Sequence, residues 1–292
     1  MANLMLAFPN RINSAHLSGG QWQAPLTNLQ DRRLTRVARS VDPIPDNTWF
    51  SVDLGQPRIV NAFALERHNL GLHATFRIRV AMDQQFQSVI YDSTTAAPDS
   101  TGAWNPAWPP LYSLGMLDWE APNWWDRRLP AEERAGYPGL VLHVARRYVF
   151  GRYLRFDFSD PDNIDGYIEF GRLFVGQTWS PIFNATYGTS FGWEFDTVVD
   201  RAVGGALYFD ERRGRRVRRF SLSWMSQDEA FGRAFEMQRL LGVKGEVMLI
   251  WDVDDTINML RNSFIGRLRV ANPIVQPHFA AFSQDYEIEE LE

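Results

Sequence analysis

Asn47-Thr-Trp-Phe-Ser-Val-Asp-Leu54 leads through Gly55-Gln-Pro57 into Arg58-Ile-Val-Asn-Ala-Phe-Ala-Leu65. In the first run Phe50, Val52 and Leu54 recur at every second position, the period of a strand with one buried face. The second run is apolar and β-prone, and the Gly-Gln-Pro between them predicts a turn joining two strands. Working outward, Phe76-Arg-Ile-Arg-Val80 alternates apolar and basic residues, and Val89-Ile-Tyr91 is a further short strand. Leu140–Val144, Tyr153–Phe158 and Tyr167–Val175 repeat the pattern, with turn residues at Asp46-Asn47 and Asp160–Asn163. Many short strands separated by such turns predict a β-sandwich of the jelly-roll kind.

The pattern stops between about 96 and 139. This stretch holds Trp104, Trp108, Trp119, Trp124 and Trp125 among repeated prolines. It reads as a long loop inserted into the sandwich, and such loops are functional or packed by their own side chains. The tryptophans are candidate contacts to carbohydrate, because a flat indole stacks on a sugar face, or to a partner protein. Packing against the sandwich is the plainer alternative.

Composition turns to Gly, Ser, Thr, Asn and Pro near 176–190, which places a boundary between a first domain, 1–178, and a second, 179–292. The second reads as α+β. Strand patterns at Trp193–Val198, Leu207–Phe209 and Arg218–Trp224 precede one helix. Ser226-Gln-Asp-Glu229 is a capping box for that helix, Ala230, Phe231, Ala234, Phe235, Met237 and Leu241 follow at helical spacing, and Gly242 sits where a terminating glycine belongs. Three strand patterns close the chain, at Glu246–Trp251, Ser263–Val270 and from Phe279 to about Ile288. The fold class is therefore mainly β: an N-terminal sandwich and a C-terminal α+β domain with one helix.

The 292 residues include 30 basic and 35 acidic ones, a net charge of −5. That sign disfavours general nucleic-acid binding, which needs surplus Lys and Arg to neutralise phosphates. With no cysteine, disulfide scaffolds, thiolate metal sites and cysteine nucleophiles are excluded. The start, Met1–Phe8, lacks the basic and apolar regions of a secretory leader, and no stretch reaches the roughly 18 apolar residues of a membrane span. No membrane insertion is expected.

Arg212, Arg213, Arg215, Arg216, Arg218 and Arg219 form a dense basic run, which reads as a hairpin tip together with Asp210 and Glu211. Without interleaved aromatics it is a poor base-stacking platform. It is a candidate subunit interface, its arginines pairing with acidic groups of a neighbouring copy, or simply a solvated hairpin.

Other motifs carry less. Val247–Ile257 resembles the first motif of haloacid-dehalogenase-like phosphatases, an apolar strand followed by Asp252, Asp254 and Thr256. In that family the first Asp is the nucleophile and the second the acid/base, with Mg²⁺. Too little chain follows for the rest of that fold, and no lysine lies downstream, so an acidic turn after a strand is the preferred reading and the phosphatase a remote alternative. Asp160-Pro-Asp162-Asn-Ile-Asp165-Gly166 lacks EF-hand spacing and reads as a turn, with calcium the lesser alternative. The five histidines show no ligand spacing, and Ser18-Gly-Gly20 lacks the Lys-Ser/Thr end of a phosphate loop. No catalytic residue, metal site or cofactor is expected.

Two resemblances emerge. Asn47–Leu65, closed by Tyr153-Leu-Arg-Phe and Gly166–Gly176, resembles discoidin-like, galactose-binding-like jelly rolls over about 10–178, interrupted by the Trp-rich stretch. Such domains bind sugars, lipids or proteins through end loops. The order of elements over about 190–292 is similar to the tail-tube-like domains of distal and minor tail proteins of long-tailed bacteriophages. That resemblance implies a non-enzymatic virion protein of the tail tip, made in the host cytoplasm. It would form a ring of six copies joining the tail tube to hub proteins, with DNA only as passing cargo. The second domain, with 13 basic against 17 acidic residues, has the sign of a lumen that repels DNA. A carbohydrate-binding receptor module is the alternative.

Overall fold

The computed structural model describes residues 4–95, 102–113, 115–134, 139–255 and 257–291, apart from the side chains of Ala131 and Glu133. Parts of the Trp-rich stretch and Thr256 of the Asp252–Thr256 motif lie outside the described residues. The chain divides into two compact units. One comprises Met1–Ser180 and Met248–Phe264, the other Pro181–Val247 and Ile265–Glu292.

The strands of the first unit are β1 (Met5–Ala7), β2 (His16–Ser18), β3 (Trp22–Ala24), β4 (Ala38–Ser40), β5 (Trp49–His68), β6 (Thr75–Ala81), β7 (Val89–Asp92), β8 (Asn105–Pro106), β9 (Leu140–Ser159), β10 (Glu169–Gly176) and β11 (Thr178–Trp179). Nine of them form an antiparallel sheet in the order β3-β4-β10-β5-β9-β6-β7, with β2 added to β5 and β8 to β6. The expected turn at Gly55-Gln-Pro57 is instead an irregularity inside one long strand. The register against β9 slips between Asp53 and Arg58, where Gly55 takes φ +75° and Pro57 needs no ladder N–H. Leu140–Val144 and Tyr153–Phe158 likewise merge into the single strand β9.

The long strands bend the sheet over itself. Phe170 of β10 pairs in register with His68, 18 positions along β5 from Phe50, a span of about 60 Å if the strand were straight. Yet the rings of Phe50 and Phe170 lie 6.5 Å apart. Between the two layers sits an aromatic core: Phe50 stacks on Phe156 at 5.0 Å, and Phe158 meets Phe170 at 4.5 Å. Burial follows this geometry. The first half of β5 alternates buried and half-buried residues, whereas Val60 to Glu66 are buried on both faces. Ser18-Gly-Gly20 has its reason here: at Gly20, φ +59°, a Cβ would fall 2.3 Å from the Trp49 carbonyl oxygen.

The second unit contains β12 (Ser190–Glu194), β13 (Val198–Arg201), β14 (Leu207–Asp210), β15 (Arg215–Met225), β17 (Phe264–Leu268), β18 (Val275–His278) and β19 (Ala281–Glu290); β16 (Glu246–Ile250) carries the chain from this unit into the first. β15 pairs with β12 on one side and β19 on the other, and β19 also pairs with β17 and β18. β13 and β14 form a separate two-stranded hairpin. The capping box forms as expected: the Ser226 hydroxyl accepts from the Glu229 N–H at 3.2 Å, and a Glu229 carboxylate oxygen accepts from the Ser226 N–H at 3.3 Å. The helix runs over 227–241 with a π-helical middle, Ala230–Phe235. Ala230, Ala234, Met237 and Leu241 are its buried stripe, and Gly242 ends it at φ +52°. Phe231 and Phe235 point outward.

In the first unit, β1 lies between β11 and residues 248–250 of β16. Leu6 pairs with Trp179 on one side and Leu249 on the other. The strand entering the sandwich and the strand leaving it are thus neighbours.

Candidate functional site

The Trp-rich stretch splits by burial. Trp108 is a core residue: its Nε1 donates to the Leu70 carbonyl at 2.9 Å, and its ring meets His68 edge-on at 5.1 Å. Leu111 and Leu129 of the same stretch are also buried. Trp104 is half-buried. Trp119 and Trp125, by contrast, are 78% and 87% exposed. Trp124 is half-buried and meets Trp125 edge-to-face at 4.8 Å. The loop between them is fixed by its own backbone. The Leu111 and Tyr112 N–H groups both donate to the Arg127 carbonyl, at 2.9 and 3.1 Å, and the Asn123 side chain donates to the Arg128 carbonyl at 2.8 Å. A held loop with exposed indoles binds at low ordering cost.

The arginine run does not form a hairpin tip, because β14 pairs with β13 while β15 pairs with β12 and β19. Strand alternation sends the arginines of β15 to opposite faces. Arg216 and Arg218 are buried. Arg216 grips Glu290 with two parallel bonds, Nε to Oε2 at 2.9 Å and Nη2 to Oε1 at 2.6 Å. Arg218 lies over the Phe191 ring, its Cζ 5.0 Å from the centroid.

On the opposite face Arg215, Arg219, Arg267 and Arg269 interleave with Glu194, Glu287 and Glu289 at 2.8–3.2 Å. Arg215 also pairs with Asp196. The acidic partners of Arg215, Arg216 and Arg219 are therefore supplied by the same chain. Arg212 and Arg213 are exposed, with Asp210 3.7 Å from Arg212.

The remaining motifs take structural roles. Asp252 lies in the turn after β16, its Oδ1 accepting from the Asp254 N–H at 3.0 Å, and Asp255 accepts from both the backbone and the side chain of Asn258. β16 pairs antiparallel with β1, unlike the parallel sheet a haloacid-dehalogenase-like site is built on. Asp160 is buried, and one of its oxygens accepts from the Gly71 N–H at 2.7 Å and the Asn163 side chain at 2.8 Å. These bonds pin two loops together. Among the described residues no group of three or more His, Asp or Glu is placed to hold a metal.

Two half-buried histidines carry no assignment from the sequence. His68 is held neutral by desolvation, with Arg134 adding to the effect, and its pKa falls from 6.5 to about 3. Burial lowers His143 to about 4, and its Nε2 lies 2.6 Å from the Tyr91 hydroxyl. His143 stands within a strand pattern and His68 just past one, and neither has ligand spacing to another histidine.

No family model matches the chain, and no curated protein does. Among solved structures, similarity is found to the CBM32-1 module of a family 31 glycoside hydrolase from Clostridium perfringens, at 11% identity and a TM-score of 0.36, covering 58% of this chain and 99% of that one. The family 32 carbohydrate-binding module of C. perfringens NanJ in complex with galactose matches at 13% identity and a TM-score of 0.34, over 60% and 99% of the two chains. The lectin binding domain of Lectinolysin complexed with Lewis b matches at 12% and 0.34, over 58% and 96%. None of these is a tail protein.

Proposed function

We propose that this chain is a non-catalytic binding protein whose sandwich presents the Trp-rich loop to carbohydrate. The observation that carries this reading is the exposure of Trp119 and Trp125 on a loop whose backbone is already held. An indole this exposed offers the flat apolar surface that a pyranose face covers. The test is a glycan array followed by calorimetry on the full chain. Binding to at least one glycan class, lost in Trp119→Ala with Trp125→Ala and kept in Trp104→Ala, supports the reading. An array with no signal, or binding indifferent to both exposed indoles, overturns it.

A second reading rests on the other unit. Every residue of β13 and β14 is exposed, although the hairpin carries Val198, Val199, Leu207, Tyr208 and Phe209. A two-stranded hairpin is marginal alone in water, and clustered exposed apolar side chains mark interaction surfaces. The partner proposed is a second copy of this chain, in a ring of six at the distal end of a long-tailed phage's tail tube. There it would sit among tube and hub proteins, with DNA passing through. Arg212 and Arg213, on the connection after β14, belong to the same proposed interface. Rings in negative stain, dispersed by Val199→Asp with Phe209→Asp, would support this assembly. A monomer at high concentration that the substitutions leave unchanged would count against self-association.

A further inference from the structure

The strands β5 and β9 pair as Val60 with Val149 and then as Ala62 with Val144. Asn61 alone therefore stands opposite four residues, Ala145-Arg146-Arg147-Tyr148, which leave the ladder. A bulge this large re-aims side chains, and such bulges gather next to binding sites. Here it puts two consecutive arginines on the wall of a cleft of about 610 Å³. Leu142, His143 and Met259 line both this cleft and an adjoining chamber of about 260 Å³. The chamber is walled mainly by apolar side chains, among them Phe76, Pro106, Leu140 and Leu260. Together the two spaces fall in the size range of small-molecule sites.

The polar groups of the cleft divide into those already used and those left for a ligand. Asn61 is buried and spends both amide atoms on Thr178, at 2.7 and 2.8 Å, while the Tyr148 hydroxyl donates to the Thr178 carbonyl at 3.3 Å. His143 is occupied by Tyr91 and uncharged. Arg147 donates to the Ile90 carbonyl at 3.1 Å and keeps further N–H groups, and Arg146 makes no hydrogen bond or ion pair among the described residues. Among the described residues the one acidic side chain of the lining is Asp254, which is exposed. The balance is two guanidinium groups against one carboxylate, beside an apolar chamber.

We propose that this cleft is a binding site for a small amphiphilic carboxylate. Its headgroup is held by Arg146 and Arg147 in charge-assisted hydrogen bonds, and its apolar body passes Met259 into the chamber. The chamber takes Asn105, Pro106, Ala107 and Pro109 from the Trp-rich stretch, but neither Trp119 nor Trp125 lines it, so carboxylate binding is separable from glycan binding by the exposed indoles.

Calorimetry on the full chain with octanoate, octanol and acetate tests it. Octanoate should bind saturably, octanol at least tenfold more weakly, and acetate without saturation. Arg146→Ala with Arg147→Ala should bring octanoate to the level of octanol, and Asp254→Asn should tighten octanoate several-fold. Both changes lie on exposed side chains, and an unchanged melting curve checks the fold. Met259→Trp, filling the junction, should abolish the advantage of octanoate over acetate. Absence of saturable octanoate binding, or octanoate binding unchanged in the double arginine variant, overturns the proposal.

Discussion

Arg216 and Glu290 face each other across neighbouring strands as a two-point ion pair, at 2.9 and 2.6 Å, with both side chains almost withdrawn from water. Glu290 also accepts from the Arg216 backbone N–H at 3.0 Å, so one carboxylate fixes both the side chain and the strand register. Removing one partner strands a buried charge, which costs about 3–5 kcal/mol. Glu290→Ala should therefore lower unfolding stability by that amount in urea titrations. Arg216→Met combined with Glu290→Leu should recover most of the loss. Additive losses in the double variant would show that the pair is not the unit of stability.

The two desolvated histidines should make the first unit acid-sensitive. Both folded pKa values lie below the ordinary 6.5, at about 4 for His143 and about 3 for His68. Above pH 6.5 the folded and unfolded chains both hold the rings neutral, and the stability is fully present. As pH falls from 6.5, the unfolded chain takes up protons that the folded chain refuses, and stability drops until the folded pKa is passed. Every tenfold difference in proton affinity between the two states corresponds to about 1.4 kcal/mol. Equilibrium unfolding between pH 7 and 4.5 should show this slope. His143→Phe, packed toward Phe63 and Phe76, should reduce it by about half.

Trp108 and the exposed pair Trp119 and Trp125 should separate into two kinds. Trp108→Ala removes a buried indole and its bond to the Leu70 carbonyl, a loss of about 3–5 kcal/mol. Trp119→Ala and Trp125→Ala should each change stability by less than about 0.5 kcal/mol. Thermal melts of the three variants make the comparison. A large loss at Trp119 would place that indole in a packed environment.

Ser226→Ala deletes one half of the capping box and should cost about 1 kcal/mol, while Ser226→Asp should retain most of the stability. Chemical denaturation of the two variants reads the difference. Equal losses would mean that the helix start is held by packing alone.

What could be read from the sequence was what local pattern carries. Phe50, Val52 and Leu54 announce their strand, and Ser226 with Glu229 announces the helix start. Gly55-Gln-Pro57 misleads because a turn and a strand irregularity use the same residues. The bend that brings Phe170 to Phe50 has no local signature, since it depends on layers meeting far apart in the chain. The three-residue strand at Met5 finds Leu249 and Trp179 through distant pairing only. Among the arginines, the run of like residues hides an alternation: Arg216 goes inward to Glu290 and Arg215 outward to Glu289, a division set by strand geometry and by acids over 70 positions away. For the cleft, Ala145–Tyr148 falls between the strand patterns Leu140–Val144 and Tyr153–Phe158, and only the pairing against Asn61 shows it to be a bulge within one strand.

The adjacency of β1 and β11 has an evolutionary consequence. The polypeptide enters the sandwich just after Ala7 and leaves it at Thr178, and these two residues are paired neighbours. Everything between them can be exchanged for another cassette with closely spaced ends, or shortened to a tight connection, without moving the flanking strands. Chains built on the same flanking strands can therefore carry different inserts, and relatives of this protein are expected to differ most between these two points.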